Sequence, residues 1–239
     1  MSAPSWFEKL LAERNLDLTP ERSERFETYF RLLVEWNERM NLTAITEREA
    51  VYEKHFYDSL TLAFHLDLNG TGKLADIGSG AGFPSLPLKI CFPHLDVLIV
   101  DSLGKRIRFL EHLTAELGLA GVTCLHARAE DAARMPEHRD GYDLVTARAV
   151  ARMNVLAEFC LPFARPDGRF AAMKGSDPAE EIAESKRALS ELGGKLEAVH
   201  ALQLPFEQAD RHIVIIRKSG RTPARYPRKA GIPAKQPIV

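Results

Sequence analysis

Residues 74–90 read LADIGSGAGFPSLPLKI, and the fold turns on them. A short apolar run stops at the acid Asp76, glycines follow at Gly78, Gly80 and Gly82, and a proline-punctuated apolar stretch resumes after Phe83. That is the pattern of a strand, a tight turn and the start of a helix. Such a turn can cradle a dinucleotide, a phosphate or a different nucleotide-like cofactor, so spacing and charge must separate the three.

Outward from this turn the chain keeps one rhythm. Strands are predicted at 73–77, 96–101, 122–126, 142–147, 169–173, 196–202 and 211–217, and helical patterns at 84–91, 103–117, around Asp131, 150–160 and 178–192 separate the first six. Strand–helix alternation with short turns predicts an α/β fold whose sheet is mostly parallel and covered on both faces. The last two strands are joined by LPFEQADR, too short for a crossover helix, so the final strand should run antiparallel to its neighbour.

Before the turn the pattern is helical. Thr19-Pro20 puts a capping residue before a proline at the first helical position, and Phe26, Tyr29, Phe30, Leu33, Val34 and Trp36 follow largely along one stripe. Thr46 with Glu49 reads as a capping box opening a second long helix. Asn69-Gly70-Thr71-Gly72 breaks the pattern. The expected organisation is a helical cap over 1–70, a cofactor-binding core over 71–218 and a basic tail over 219–239.

At 239 residues, with 45% apolar and 27% charged residues, the composition is that of an ordinary globular chain. No apolar stretch approaches the roughly 18 residues of a membrane span, and the first residues carry acids in place of a signal-like apolar core. Cys91, Cys124 and Cys160 are odd in number and widely spaced, as expected of buried thiols in a reducing cytoplasm, with no metal role. No coiled-coil seam points beyond a monomer. Charge is uneven. Eight Lys/Arg and no acid lie from Arg211 onward, and taking these from the chain's net −1 leaves −9 for residues 1–210. A basic tail on an acidic body suits a polyanion partner, because phosphate contacts release counterions, and the prolines of RTPARYPRKAGIPAKQP argue for an extended segment there.

The glycine spacing then selects the cofactor. A dinucleotide turn needs a third small residue at position 83, which is Phe83, and there is no Gly-Lys-Ser/Thr for a P-loop. Asp76, expected to aim into the turn, would repel a pyrophosphate and attract an ammonium or sulfonium charge. S-adenosylmethionine carries both. Asp101 ends the second strand about 20 residues past the turn, where an acid can accept from both ribose hydroxyls of an adenosine. Ala129 and Glu130 follow the third strand, where a backbone amide and a carboxylate could read adenine's edge. An acid opening a helix is also a common cap.

With these segments in order, the sequence resembles the bacterial small-subunit ribosomal RNA guanine N-7 methyltransferases (RsmG, formerly GidB). The resemblance is carried by DIGSGAGFPSLPLKI at 76–90, DSLGKRIRFL at 101–110, ARAE at 127–130, TARAVA at 146–151 and MKG at 173–175, with WNERMNLTAIT at 36–46, KHFYDSL at 54–60 and the tail motif YPRKAGIPAKQP. Ser85 departs from it, standing where the family usually has glycine. The resemblance implies a class I S-adenosylmethionine-dependent methyltransferase fold, Rossmann-like with a seven-stranded sheet. It implies methylation of a guanine in the 16S rRNA hairpin loop near the decoding site. Carried over by position, the cofactor contacts would be Gly78, Phe83, Ala129, Glu130 and Arg148, with Asp101 on the ribose.

The acceptor chemistry agrees. Amino-group methylases of adenine or cytosine generally place Asn/Asp-Pro-Pro-aromatic after the fourth strand; this chain has Thr146-Ala147-Arg148-Ala149. A cytosine C-5 enzyme needs a nucleophilic cysteine, and Cys160 falls on an apolar helix face. Guanine N7 already carries a free lone pair, so no catalytic acid or base is expected and positioning can carry the rate. His55 and Asp58, at i and i+3, are expected to position the cap more than to exchange protons. Arg148, Lys174, Arg225, Arg228 and Lys229 are the expected RNA-facing residues. The rivals are a methyltransferase of the same fold with another acceptor, and a noncatalytic RNA-binding module with a vestigial pocket.

Overall fold

The computed structural model describes residues 2–239. Seven strands follow one another from residue 73: β1 (Lys73–Ile77), β2 (Asp96–Asp101), β3 (Val122–His126), β4 (Tyr142–Arg148), β5 (Ala164–Lys174), β6 (Gly194–Gln203) and β7 (Asp210–Lys218). They form one sheet in the order β3-β2-β1-β4-β5-β7-β6. Strands β1 to β5 pair in parallel, and β7 inserts antiparallel between β5 and β6. The expected class I methyltransferase architecture is present. The main differences are local: β5 begins at Ala164, ahead of a register shift opposite Tyr142 and Leu144, and the helix expected over 178–192 is broken at Ser185.

Sheet alternation sorts the core into two layers, because successive side chains point to opposite faces. Leu74, Val97, Ile99, Leu144, Ala171 and Met173 face one layer, built with the N-terminal helices and with the helices that follow β1 and β2. Ala75, Ile77, Leu98, Val100, Val145, Ala147 and Phe170 face the other. Asp76 shares the face of Leu74, which decides where its carboxylate goes.

The cap consists of α1 (Ser5–Ala12), α2 (Pro20–Met40) and a helical run over 48–64. Thr19 caps α2 as expected, accepting from the Arg22 amide at 3.3 Å, with Pro20 in the first turn. The second cap is displaced by one residue. Glu47, not Thr46, opens α3 (Arg48–Val51), its carboxylate accepting from the amides of Glu49 at 3.2 Å and Ala50 at 2.8 Å. A carboxylate can serve two amides with two oxygens and suits the positive helix end. The run is also not one regular helix: a π-helical stretch (Tyr52–Tyr57), α4 (Asp58–Leu60) and a 3-10 turn (Thr61–Phe64) follow. Phe7, Phe26, Tyr29, Tyr52 and Phe56 are fully buried and pack ring on ring, with centroids 5.0–5.3 Å apart between Phe7–Phe26, Phe7–Tyr52, Phe26–Phe56, Tyr29–Phe56 and Tyr52–Phe56. The expected boundary near residue 70 divides sequence patterns, while this aromatic cluster is continuous with the core of the sheet.

The remaining helices are α5 (Ser85–Cys91), α6 (Gly104–Glu116), α7 (Ala129–Ala132), α8 (Met153–Cys160), α9 (Ala179–Glu184), α10 (Lys186–Leu192) and α11 (Ile232–Lys235). The last corrects the expectation of a helix-free, extended tail. Pro233 sits in the first turn of α11, where its missing amide is harmless, and Tyr226, Pro227, Pro233 and Ile238 are buried. Arg139 donates to the carbonyls of Thr222 and Tyr226 at 2.9 Å, and Arg134 to that of Arg225 at 3.2 Å. Among the described residues no helix is long and apolar enough to cross a membrane.

Candidate functional site

The carboxyl ends of β1, β2, β4 and β5 meet beneath the cap, where ligands collect in open parallel sheets. After β1 the Gly78 amide donates to the Val100 carbonyl at 2.8 Å, carrying the ladder one step into the turn. Gly78, Gly80 and Gly82 then all take left-handed φ angles, of +74°, +63° and +100°. Their surroundings differ. A Cβ on Gly80 would meet nothing within 4 Å, whereas one on Gly82 would lie 2.5 Å from the Tyr29 hydroxyl and 2.7 Å from Leu86 Cδ1. Gly80 therefore keeps backbone bare toward open space, and Gly82 lets the cap approach. The Tyr29 hydroxyl fixes that approach by donating to the Ala81 carbonyl at 2.6 Å.

Asp101, at the end of β2, reaches across to the same turn. Its Oδ2 accepts from the Gly80 amide at 3.1 Å and its Oδ1 from the Leu103 amide at 2.9 Å. Arg106 lies 3.3 Å from Oδ2.

Asp76 departs from expectation. Its carboxylate does not aim into the mouth of the turn; it is fully buried beneath it, on the cap side of β1. Oδ2 accepts from the Ser79 hydroxyl at 2.7 Å and from the hydroxyl and amide of Ser85 at 2.5 and 3.2 Å. Ser85, where the resemblance led to the expectation of glycine, thus supplies a hydroxyl donor that glycine could not. Oδ1 has no partner. Burial pushes the Asp76 acid up to about 6, against the pull of the Ser85 and Ser79 hydrogen bonds.

Phe83 is the hinge of the site. Its ring stacks on Tyr29 at 5.3 Å and on His55 at 4.6 Å, and the Arg148 guanidinium lies 4.9 Å from its centroid. Arg148, at the end of β4, donates to Asp58 Oδ2 at 3.0 Å and to the Lys54 carbonyl at 3.1 Å, with His55 Nδ1 3.3 Å from Nη2. Arg211, the second residue of β7, brings its Nε to 3.2 Å from Asp58 Oδ1. Burial and the neighbouring Arg148 push His55 down to about 3, so its ring is neutral. Lys174, at the end of β5, donates to the Ala151 carbonyl at 2.8 Å and to Glu181 at 2.6 Å. Around these groups opens a cavity of about 380 Å³, lined by Ile45, Lys54, His55, Asp58, Arg148, Met173, Lys174 and Arg211 among others.

Ala129 and Glu130 stand at the start of α7, beside the Asp101 end of β2, and Glu130 is buried. One of its oxygens accepts from the tail, the Gly231 amide donating at 2.8 Å. The basic tail residues divide. Arg228 is half-buried: its guanidinium and amide bind the buried carboxylate of Glu158 on α8, at 2.6–3.1 Å. This pairing gives Arg228 a structural partner that the sequence did not show, since a guanidinium so engaged can leave only by stranding a buried charge. Arg225 and Lys229 are exposed. Sequence reasoning missed Tyr29 and Glu158 as partners of the turn and tail, and it missed Lys54 and Arg211 as neighbours of Asp58. The pairing of His55 with Asp58 on one face was the available signal.

The model of the rRNA small subunit methyltransferase G (GidB) family matches residues 22–214. The chain belongs to this family. It is 54% identical to the "Ribosomal RNA small subunit methyltransferase G" of Brevibacillus brevis over 233 residues, covering 98% of each chain. The protein of that description from Bacillus subtilis strain 168 is 54% identical over 228 residues, 95% of each. Fold likeness reaches further. The M. jannaschii TYW2 structure in complex with AdoMet has a TM-score of 0.53 at 15% identity, covering 73% of this chain and 77% of that one. The [4+2]-cyclase SpnF has a TM-score of 0.58 at 13% identity, covering 83% and 96%. A cyclase among such neighbours shows that the architecture alone does not fix the chemistry. For the family member described here, acceptor and residue roles must come from the site.

Proposed function

We infer that the chain transfers a methyl group from S-adenosylmethionine to ring nitrogen 7 of a guanine in the 16S rRNA of the small ribosomal subunit. Family membership supports a small-subunit rRNA methyltransferase, and the nearness of the glycine turn to the Arg148 cavity, joined through Phe83, carries the finer reading. The turn offers the bare Gly80 backbone beside Asp101, and the cavity offers Lys54, His55, Lys174 and Arg211. The turn and its surroundings, the cofactor compartment, suit an adenosine ligand: Asp101 would take the ribose hydroxyls, Gly80 the close backbone approach, and Ala129 and Glu130 the adenine edge, while the space beyond Gly78 is filled by Val150, 2.8 Å from where a Cβ would stand. Asp76, unpartnered at Oδ1, would add negative potential beneath a cationic ligand. When bound, S-adenosylmethionine supplies an electrophilic sulfonium methyl group.

The chain's own part is to bind, orient and exclude water. Neutral His55 is too weak a base to take a proton near pH 7, and Asp58 is held by Arg148 and Arg211. A nucleophile that must lose a proton therefore finds no ready acceptor there, while guanine N7 needs none. Phosphates flanking the guanine would meet Lys54, Lys174 and Arg211 at the rim, with the exposed Arg225 and Lys229 as outer contacts.

The test is incubation of small subunits from a strain lacking the protein with labelled S-adenosylmethionine, followed by mapping of the modified nucleotide. Label at guanine N7 of one 16S position is expected; label on an exocyclic amine, on protein or nowhere overturns the acceptor. Absence of saturable cofactor binding would instead mark a noncatalytic RNA-binding module.

A further inference from the structure

The tail that was expected to lie on RNA ends one of its contacts on a residue of the cofactor compartment. The Gly231 amide donates at 2.8 Å to Glu130 Oε1. The tail does not need this bond to stay in place. Arg228 already clamps it to Glu158 through four contacts, Arg139 holds the carbonyls of Thr222, Pro223 and Tyr226, and the Tyr226 hydroxyl donates to Glu191 at 2.5 Å. What the bond adds falls on Glu130. It is 4% exposed and lies near the end of β2 that carries Asp101. A carboxylate free at both oxygens must lose rotation to meet a ligand; one anchored through a single oxygen presents the other already oriented.

We propose that the Gly231 amide is a positioning group for adenine recognition: it holds one oxygen of the Glu130 carboxylate so that the other accepts the 6-amino group of the cofactor's adenine. Gly231 suits the task by conformation. Its φ is +84° and a Cβ would meet nothing within 4 Å, so left-handed backbone, not lack of room, is what calls for glycine. The tail then forms one wall of the cofactor compartment and sets its preference for adenine. This rests on the reading of the chain as an S-adenosylmethionine-dependent enzyme.

The experiment compares calorimetric binding of S-adenosylhomocysteine with that of its analogue carrying hydrogen in place of the 6-amino group, in the full chain and in two variants. Gly231→Pro removes the donor, and the milder Gly231→Ala strains the left-handed turn; thermal melts report whether each is folded. The unaltered chain is expected to favour the amino ligand by about tenfold, as a charge-assisted hydrogen bond would. In Gly231→Pro the preference should fall toward unity, with a smaller fall in Gly231→Ala. A folded Gly231→Pro chain that keeps the full preference overturns the proposal; if Gly231→Pro does not fold, a chain ending at Ala230, which keeps the Arg228 clamp on Glu158 and lacks the Gly231 amide, decides in the same way. Equal binding of both ligands by the unaltered chain also overturns it, while leaving the methyltransferase reading intact. Failure to bind S-adenosylhomocysteine at all would strike that reading itself.

Discussion

Arg148 and Asp58 join the end of β4 to the cap through a 3.0 Å ion pair in which the two side chains are only 15% and 5% exposed. The same carboxylate faces Arg211 at 3.2 Å, so one acid from α4 balances guanidiniums from two strands. Removing one partner of a buried pair leaves the other charge stranded, which is far more costly than losing a surface pair. Asp58→Ala should therefore destabilise the chain by about 3 kcal/mol in urea unfolding and lower methyl transfer by loosening the cavity. Unaltered stability together with unaltered activity would show that the cap is held some other way.

The alternate glycines of the turn should separate under substitution. Gly82→Ala drives a methyl group into the hydrogen-bonded Tyr29 hydroxyl and Leu86, so a loss of about 3 kcal/mol is expected from overpacking added to left-handed strain. Gly80→Ala meets no protein atom and should cost only about 1 kcal/mol. Its methyl group projects where the cofactor would approach, so affinity should fall on the order of tenfold or more. Paired denaturation and calorimetry check both; a Gly80→Ala chain with normal cofactor affinity would place the ligand elsewhere.

Strand positions were legible because they rest on local alternation, and the short LPFEQADR link was enough to give β7 its direction. The turn was legible because left-handed backbone selects glycine. What the sequence hid depends on which face a residue takes and on contacts distant in the chain. Asp76 could be placed at the end of a strand, but its burial follows from sharing the face of Leu74 and meeting Ser85. Glu47 displaced Thr46 as a cap because two acceptor oxygens and a negative charge outcompete one hydroxyl. The charge of the tail was plain, yet nothing local marks Arg228 as the partner of Glu158, 70 residues away.

Asp76 and His55 make opposite contributions to acid stability. Burial raises Asp76 to about 6, so the folded chain holds a proton that the unfolded chain releases above about 4, and this group favours folding as pH falls through that window. His55 is pushed down to about 3, so acidification below about 6.5 protonates the unfolded chain first and weakens folding. Asp76→Asn should therefore steepen the loss of stability between pH 6.5 and 4, and His55→Gln should flatten it. A cationic ligand favours the ionised form of Asp76, so cofactor binding near pH 6 should release protons, measured by calorimetry in buffers of different ionisation heat, and Asp76→Asn should abolish that release.

Arg228 and Lys229 are adjacent in sequence and should differ in every measurement. Arg228 pairs with a Glu158 that is 1% exposed at its side chain, so Arg228→Ala strands a buried carboxylate and should cost about 3 kcal/mol of stability. Lys229 is exposed, and its loss should leave unfolding unchanged. If Lys229 touches phosphate, Lys229→Ala should reduce the slope of log affinity for 16S rRNA against log salt by about 0.7 to 0.9, the share of one contact. Arg228→Ala should change that slope only as far as the tail comes loose, which limited proteolysis would detect. A slope reduced equally by both substitutions, in chains of equal stability, would return Arg228 to the RNA surface and contradict its clamp on Glu158.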